Sequence, residues 1–137
     1  MLRKDSKIEL LKSVPLFSEC TKRELSAIAR LTTLVDVAAG KQLVGEGDWA
    51  HEFAVLVEGS ADVHQGGQKI NSLSAGDFFG EIALVSDGPR TATVKTTSPA
   101  VLLVLTRQAF WSLVDDMPTI ERRVLKTLAE RLRPQTV

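Results

Sequence analysis

Hydrophobic and polar positions follow a helical period at both ends of the chain and a period of two between them. From Ser6 to Ser13, Ile8, Leu10 and Leu11 are apolar among charged residues, which predicts a short amphipathic helix ended near Pro15. Val14-Pro15-Leu16-Phe17 makes an apolar corner. Thr21 to Leu31 predicts a second helix: Thr21 can cap it, Glu24 follows at capping-box spacing, and Leu25, Ile28, Ala29 and Leu31 share one face. From Thr32 the alternation becomes that of strands. Leu34–Val37, Gln42–Val44, Glu52–Glu58, Ala61–His64, Lys69–Leu73, Thr91–Thr97 and Ala100–Thr106 read as strands, parted by turns at Gly40, Gly47, Gly59, Gly66-Gly67 and Ser98-Pro99. Many short strands with frequent glycine turns predict a sandwich or jelly roll. Arg107 to Val114 and Thr119 to Arg133 return to the helical period, separated near Met117-Pro118. Ile120, Val124, Leu125, Leu128 and Leu132 form an apolar stripe on the last helix, which Pro134 ends.

Composition narrows the class. Seventeen basic and seventeen acidic residues cancel, so nothing in the overall charge attracts DNA or an anionic membrane. Hydrophobic residues at 44% and charged residues at 25% are ordinary globular values, and 137 residues suit one domain with a proper core. Cys20 is the only cysteine, so no internal disulfide can form, which fits a reducing cytoplasm. The N-terminus runs into a charged helix without the apolar core of a signal peptide. The longest apolar run, Ala100 to Leu105, is too short to span a bilayer. The expectation is a soluble cytoplasmic domain with no nucleic-acid and no membrane partner. His51 and His64 stand thirteen residues apart without metal-ligand spacing. A metal-dependent enzyme on a jelly roll would need clustered histidines and carboxylates, so no metal, no cofactor and no catalytic residue are expected.

The candidate chemistry lies between Phe78 and Val94. Gly80, without a Cβ, lets backbone come close to a ligand. Glu81 to Leu84 can form one helical turn, whose free N–H groups favour an anion. Asp87-Gly88-Pro89 breaks the turn, and Arg90 then enters a β-branched strand with a planar cation able to grip two phosphate oxygens. Glu81 only accepts hydrogen bonds, which suits a sugar hydroxyl and repels a bare phosphate. A phosphate that also carries a ribose matches the set.

This stretch resembles the phosphate-binding cassette of the cyclic nucleotide-binding domain family. Phe79-Gly80-Glu81-Ile82-Ala83-Leu84 is followed by a short loop and Arg90-Thr91-Ala92-Thr93-Val94, with nine residues from Glu81 to Arg90. The Val14-Pro15-Leu16-Phe17 phrase is similar too, so the resemblance starts near residue 8. It implies an α+β, mainly β fold: an eight-stranded β-roll, or double-stranded jelly roll, over about residues 32–106 with the cassette at 78–94. An N-terminal helical bundle over about 6–31, a short cassette helix and C-terminal helices over about 107–133 complete a single domain spanning 1–137. Fewer than 45 residues follow Val94, room for two helices but not for a kinase, channel or winged DNA-binding domain, so a stand-alone sensor is expected.

The resemblance also implies roles. The ligand is cAMP, with cGMP as the alternative nucleotide. Arg90 takes an exocyclic phosphate oxygen, Gly80 and the amides of Ile82 and Ala83 add to the phosphate site, and Glu81 takes the ribose 2′-hydroxyl. Thr91 belongs to the phosphate set too and, as a base contact, offers a hydroxyl to the 2-amino group of a syn guanine; it permits cGMP without demanding it. Leu84 and Phe110, with Leu113 and Val114, couple the cassette to the C-terminal helices, and Leu128 or Leu132 caps the base. The stripe on the last helix serves either as that lid or as a homodimer seam. Many members carry an acid two residues before Phe53 that holds the arginine; His51 stands there, with Asp48 and Glu52 nearby. Trp49 and Trp111 could stack on a base, though core packing suits Trp111 better. The effector protein is unknown, and the alternative function is a degenerate β-roll acting as a protein-interaction module without nucleotide.

Overall fold

A computed structural model describes residues 2–49, 51–86 and 88–132, with side chains through residue 130. In chain order the elements are α1 (Lys4–Lys12), α2 (Lys22–Arg30), β1 (Thr33–Val37), β2 (Gln42–Val44), β3 (Glu52–Glu58), β4 (Ala61–Gln65), β5 (Gln68–Leu73), β6 (Phe78–Phe79), β7 (Thr93–Thr96), β8 (Ala100–Thr106), α3 (Arg107–Asp116) and α4 (Pro118–Leu132). Short 3-10 turns at Pro15–Phe17 and Glu81–Leu84 interrupt the series. The chain divides into two compact units: a helical one, Met1–Leu31 with Gln108–Val137, and a sheet unit, Thr32–Arg107.

The sheet unit holds two four-stranded antiparallel sheets, ordered β1-β8-β3-β6 and β2-β7-β4-β5. Leu56, Ala61, Leu73, Val94, Ala100 and Leu102 form a buried cluster from both sheets, with Val37, Leu43, Val63 and Phe79 packed against it. Alternation fails on β3, where Phe53, Ala54, Val55 and Leu56 are all buried. The 3-10 turn at Glu81–Leu84 packs against β3 and Phe78 sets its ring 6.4 Å from that of Phe53, so both faces of the strand are covered. β6, a strand the periodicity does not mark, is only two residues long, below what a periodic pattern can register.

In the helical unit, the capping box at α2 forms as its spacing predicts: Glu24 N–H donates to Thr21 Oγ1 (3.2 Å) and Thr21 N–H to Glu24 Oε1 (2.7 Å). Leu25, Ile28 and Ala29 are buried, but Leu31, expected beside them, is the exposed C-cap. Phe17 and Phe110 meet at 6.0 Å, and Trp111 stands edge-on to Phe110 at 5.7 Å. On α4, which begins on Pro118 because a helix's first position needs no N–H, Ile120, Val124 and Thr127 are buried. Leu125, expected in the apolar stripe, is 59% exposed, since at 100° per residue it turns away from Val124. The expected helix end at Arg133-Pro134 lies outside the described residues.

Cys20 and Glu24 are both buried here. Burial, with the Glu24 charge, pushes the Cys20 thiol up to about 12 against the opposing Arg123, so it stays protonated and inert at neutral pH. Burial pushes the Glu24 carboxyl up, yet hydrogen bonds from Thr119 and Thr21 and the charge of Arg123 (Nε to Oε1, 3.4 Å) outweigh it and hold the pKa below its usual value. Thr21→Ala should remove one half of the cap and cost about 1 kcal/mol, read by urea denaturation. An unchanged midpoint would mean the cap does not hold α2.

Candidate functional site

A cleft of about 540 Å3 lies in the sheet unit, lined by residues between Val44 and Val94. One side is sheet: Val44, Val63, Ile70, Asn71, Leu73 and Val94. The rest of the lining comes from the Phe78–Ala92 stretch, which brings Gly80, Glu81, Ile82, Ala83, Arg90 and Thr91 to the same cavity. The lining is mainly apolar, with the charged Glu81 and Arg90 both in the Phe78–Val94 stretch, which suits a ligand that carries an apolar part and a charged part.

Gly80 explains how the charged end is built. Pairing of Phe79 with Ala54 and Phe78 with Val55 delivers the chain beside β3. Gly80 then turns it through a left-handed conformation (φ 80°, ψ 13°) into the 3-10 turn. A Cβ on Gly80 would meet Arg90 Nη1 and lie 2.7 Å from the carbonyl oxygen of Glu52. The glycine is thus the bed on which the guanidinium rests. In the 3-10 turn, Ala83 N–H donates to the Gly80 carbonyl at 3.0 Å, while the Ile82 amide has no acceptor among the described residues. Of the two amides expected at an anion, Ile82 is the one left open.

Arg90 is held at three points. Its Nη2 donates to the Glu52 carbonyl oxygen at 2.7 Å. Its main chain is clamped by Arg90 N–H to Asp48 O (2.6 Å) and Gly47 N–H to Arg90 O (2.8 Å), and Trp49 bridges to Pro89 alongside. Nothing in the pattern of the Gly45–Glu52 loop announced this clamp; Gly47 and Asp48 read as an ordinary turn. The orientation of Arg90 therefore rests on a main-chain carbonyl rather than on the side chain at position 51, whose own carbonyl accepts from Arg107 N–H at 2.8 Å. Burial presses the Arg90 pKa below its ordinary value, opposed by the Glu52 carboxylate, and the group remains a cation. A half-buried guanidinium lining a cleft, with one donor spent on a main-chain carbonyl, favours an anionic ligand.

The remaining predicted residues are distributed as follows. Glu81 is half-buried and Ile82 is 46% exposed on the cleft. Thr91 lines the cleft with an exposed side chain, its carbonyl accepting from Gln65 Nε2 at 3.0 Å. Leu84 is fully buried on the 3-10 turn of the sheet unit, and Phe110 is buried on α3 of the helical unit. Leu128 lies on α4, half-buried, and the side chain of Leu132 lies outside the described residues, as does Asp87 within the cassette loop. Trp49 is 66% exposed and does not line the cleft. Sequence reasoning missed the sheet side altogether: Val44, Val63, Ile70, Asn71 and Leu73 come together only when the strands pair. Among the described residues no group of three or more His, Cys, Asp or Glu side chains could hold a metal ion. No helix among them is long and apolar enough to cross a membrane.

Comparison with known proteins bears directly on this geometry. The cAMP-dependent protein kinase regulatory subunit of Hypocrea atroviridis is 35% identical over 128 residues, covering 90% of this chain and 28% of its own length. The chain thus spans under a third of that relative. The N-terminal domain of a transcriptional regulator from Streptomyces coelicolor A3(2) superposes with a TM-score of 0.86 at 25% identity, covering 93% of this chain and 94% of that one. A cAMP-bound PfPKA-R structure shares the fold, with a TM-score of 0.70 at 23% identity over 96% of this chain and 47% of that one. The model of the cyclic nucleotide-binding domain family matches residues 34–117, the stretch that contains both sheets, the cleft and its arginine. The chain belongs to the cyclic nucleotide-binding domain family.

Proposed function

We propose that this domain is a regulatory sensor that binds cAMP in the cleft, with cGMP as the weaker ligand, and relays its presence to an effector protein. The observation that carries the proposal is Arg90, seated over Gly80 and held by the Glu52 carbonyl, with Glu81 on the same cavity. The exocyclic phosphate goes to Arg90 and the open Ile82 amide, with Gly80 and Ala83 shaping the site around it. The ribose 2′-hydroxyl goes to Glu81. Thr91 stands ready for the 2-amino group of guanine. The strand order is read as a jelly roll that encloses the nucleotide, and the domain as a cytoplasmic, non-catalytic one. Relay runs from Leu84 on the cassette turn to Phe110 and α4, with Leu128 or Leu132 as the residue that caps the base.

Titration calorimetry with cAMP and cGMP side by side tests the binding. Saturable heat with tighter binding of cAMP is expected; no heat with either nucleotide would leave the degenerate interaction module as the better account. Glu81→Gln should weaken binding less than loss of Arg90, because the amide oxygen still accepts from the 2′-hydroxyl without charge assistance. If 2′-deoxy-cAMP binds the wild type as tightly as cAMP, the ribose role is wrong. Hydrogen exchange tests the relay: amides of α4 should change protection when cAMP is added. A response confined to the cassette and its strands would turn α4 from lid to dimer seam.

A further inference from the structure

Arg90 precedes β7, so the ladders that fix that strand do not reach it. β7 pairs with β4 as far as His64↔Thr93 and with β2 as far as Val44↔Val94. Arg90, Thr91 and Ala92 lie between those ladders and the lone bridge of Trp49 to Pro89. Side chains take over there. Gln65 Nε2 donates to the Thr91 carbonyl at 3.0 Å, and an oxygen partner settles which end of that amide is nitrogen. Gln65 is placed by its hairpin: past a bulge at Ile70, β4 and β5 close through His64↔Lys69 and Gln65↔Gln68. The turn between them is Gly66-Gly67, both at positive φ (59° and 79°). From the β2 side, Gly47 N–H holds the Arg90 carbonyl. Glu46 joins the two sides. Its Oε1 accepts the Gly66 N–H at 3.0 Å, and its own N–H donates to Thr93 Oγ1 at 2.9 Å.

We infer that Glu46 and Gln65 are positioning residues: by tying the β4–β5 hairpin to the loop that clamps Arg90 and to Thr91, they set where the guanidinium stands over Gly80. This rests on the reading of the cleft as a cyclic nucleotide site. Neither residue lines the cleft and both are exposed, so they act through the main chain they hold and not by touching nucleotide. The carbonyls of Arg90 and Thr91 are consecutive, and they are tied from the two neighbours of β7: one from the β2–β3 loop, the other from the hairpin. Glu46, bonded to the hairpin by its side chain and to β7 by its main chain, keeps those neighbours in step. Without it, the loop keeps its local turn (Asp48 N–H to Gly45 O, 3.0 Å) but loses its register against the hairpin. A carboxylate on this loop opposes an anionic ligand by charge, so what Glu46 contributes is its acceptor oxygen. Exposed bonds of this kind add little to global stability, whereas a two-point grip on phosphate tolerates little displacement of the arginine.

The wild type, Glu46→Ala, Glu46→Gln and Gln65→Ala are compared as full chains. Calorimetry reads cAMP affinity, thermal melts without ligand read the fold, and hydrogen exchange reads the amides of Gly47, Gly66 and Arg90. Glu46→Ala should weaken cAMP binding roughly fivefold (about 1 kcal/mol) and speed exchange at those amides. Its melt should stay within a few degrees of the wild type, because the residue is exposed. Glu46→Gln keeps an acceptor oxygen and drops the opposing charge, so it should bind at least as tightly as the wild type. Gln65→Ala should weaken binding by a similar factor to Glu46→Ala, through Thr91. Faster exchange in Glu46→Ala with affinity unmoved would mean that the tie holds the loop without placing Arg90, and would overturn the inference alone. Glu46→Gln binding as weakly as Glu46→Ala would do the same, as would losses of affinity that merely track losses of melting temperature. Failure of the wild type to bind cAMP would overturn the nucleotide site itself, whatever the exchange shows, and the inference with it.

Discussion

Arg90→Ala is expected to weaken cAMP binding at least about 30-fold while leaving the fold in place. Removing one partner from a desolvated charge pair costs about 2–5 kcal/mol, and each 1.4 kcal/mol is tenfold. The low end applies, because Arg90 is half-buried rather than enclosed. Stability should barely change, since the clamp on this residue is made by its own N–H and carbonyl, which alanine keeps. Only the bond to the Glu52 carbonyl is lost. Titration calorimetry reads the affinity and a thermal melt without ligand reads the fold. Unchanged affinity in the variant would remove Arg90 from the phosphate site.

Gly80→Ala should damage both binding and stability, and for separable reasons. Alanine in a left-handed conformation costs about 1–2 kcal/mol wherever it stands. At Gly80 the new Cβ also meets the guanidinium of Arg90 and the Glu52 carbonyl. That carbonyl belongs to the first residue of β3, which is fixed on one side by its pairing with Thr106 of β8, so the flexible arginine moves more readily than the strand. Binding should then fall by an amount close to that of Arg90→Ala. Gly76→Ala is the control, because Gly76 also has a positive φ (96°) but nothing within 4 Å of a built Cβ. It should lose stability of similar size in urea denaturation and keep its affinity for cAMP. If the two variants bind alike, Gly80 does not position Arg90.

Local chemistry was legible wherever its cause is local. The Thr21–Glu24 capping box needs only three residues' spacing, and it forms. The apolar runs that became β3 and β8 were plain, although β3 is buried on both faces where alternation suggested one. The residues quoted from Phe79–Leu84 and Arg90–Val94 include several that line one cleft, because a contiguous stretch needs little more than one turn and one strand to assemble. The apolar stripe on α4 was drawn too wide, since Leu125 keeps apolar company in sequence and not in space.

By itself, then, the sequence determined the type and order of nearly every element, the turns between them, and the gathering of Gly80, Glu81, Arg90 and Thr91 in one short stretch that lines the cleft. Hydrophobic period, caps and glycines act over a few residues, and they are written where they act. Tertiary structure alone decided what holds Arg90 and what faces it. The Glu52 carbonyl lies 38 residues away in sequence, and a main-chain oxygen carries no residue-type signal at all. The bulge at Ile70 exists only as a mismatch between two paired strands, so neither strand read singly contains it. The sheet wall of the cleft, Asn71 included, follows from which strands become neighbours, and that is settled by packing of the whole core rather than by any short stretch of chain.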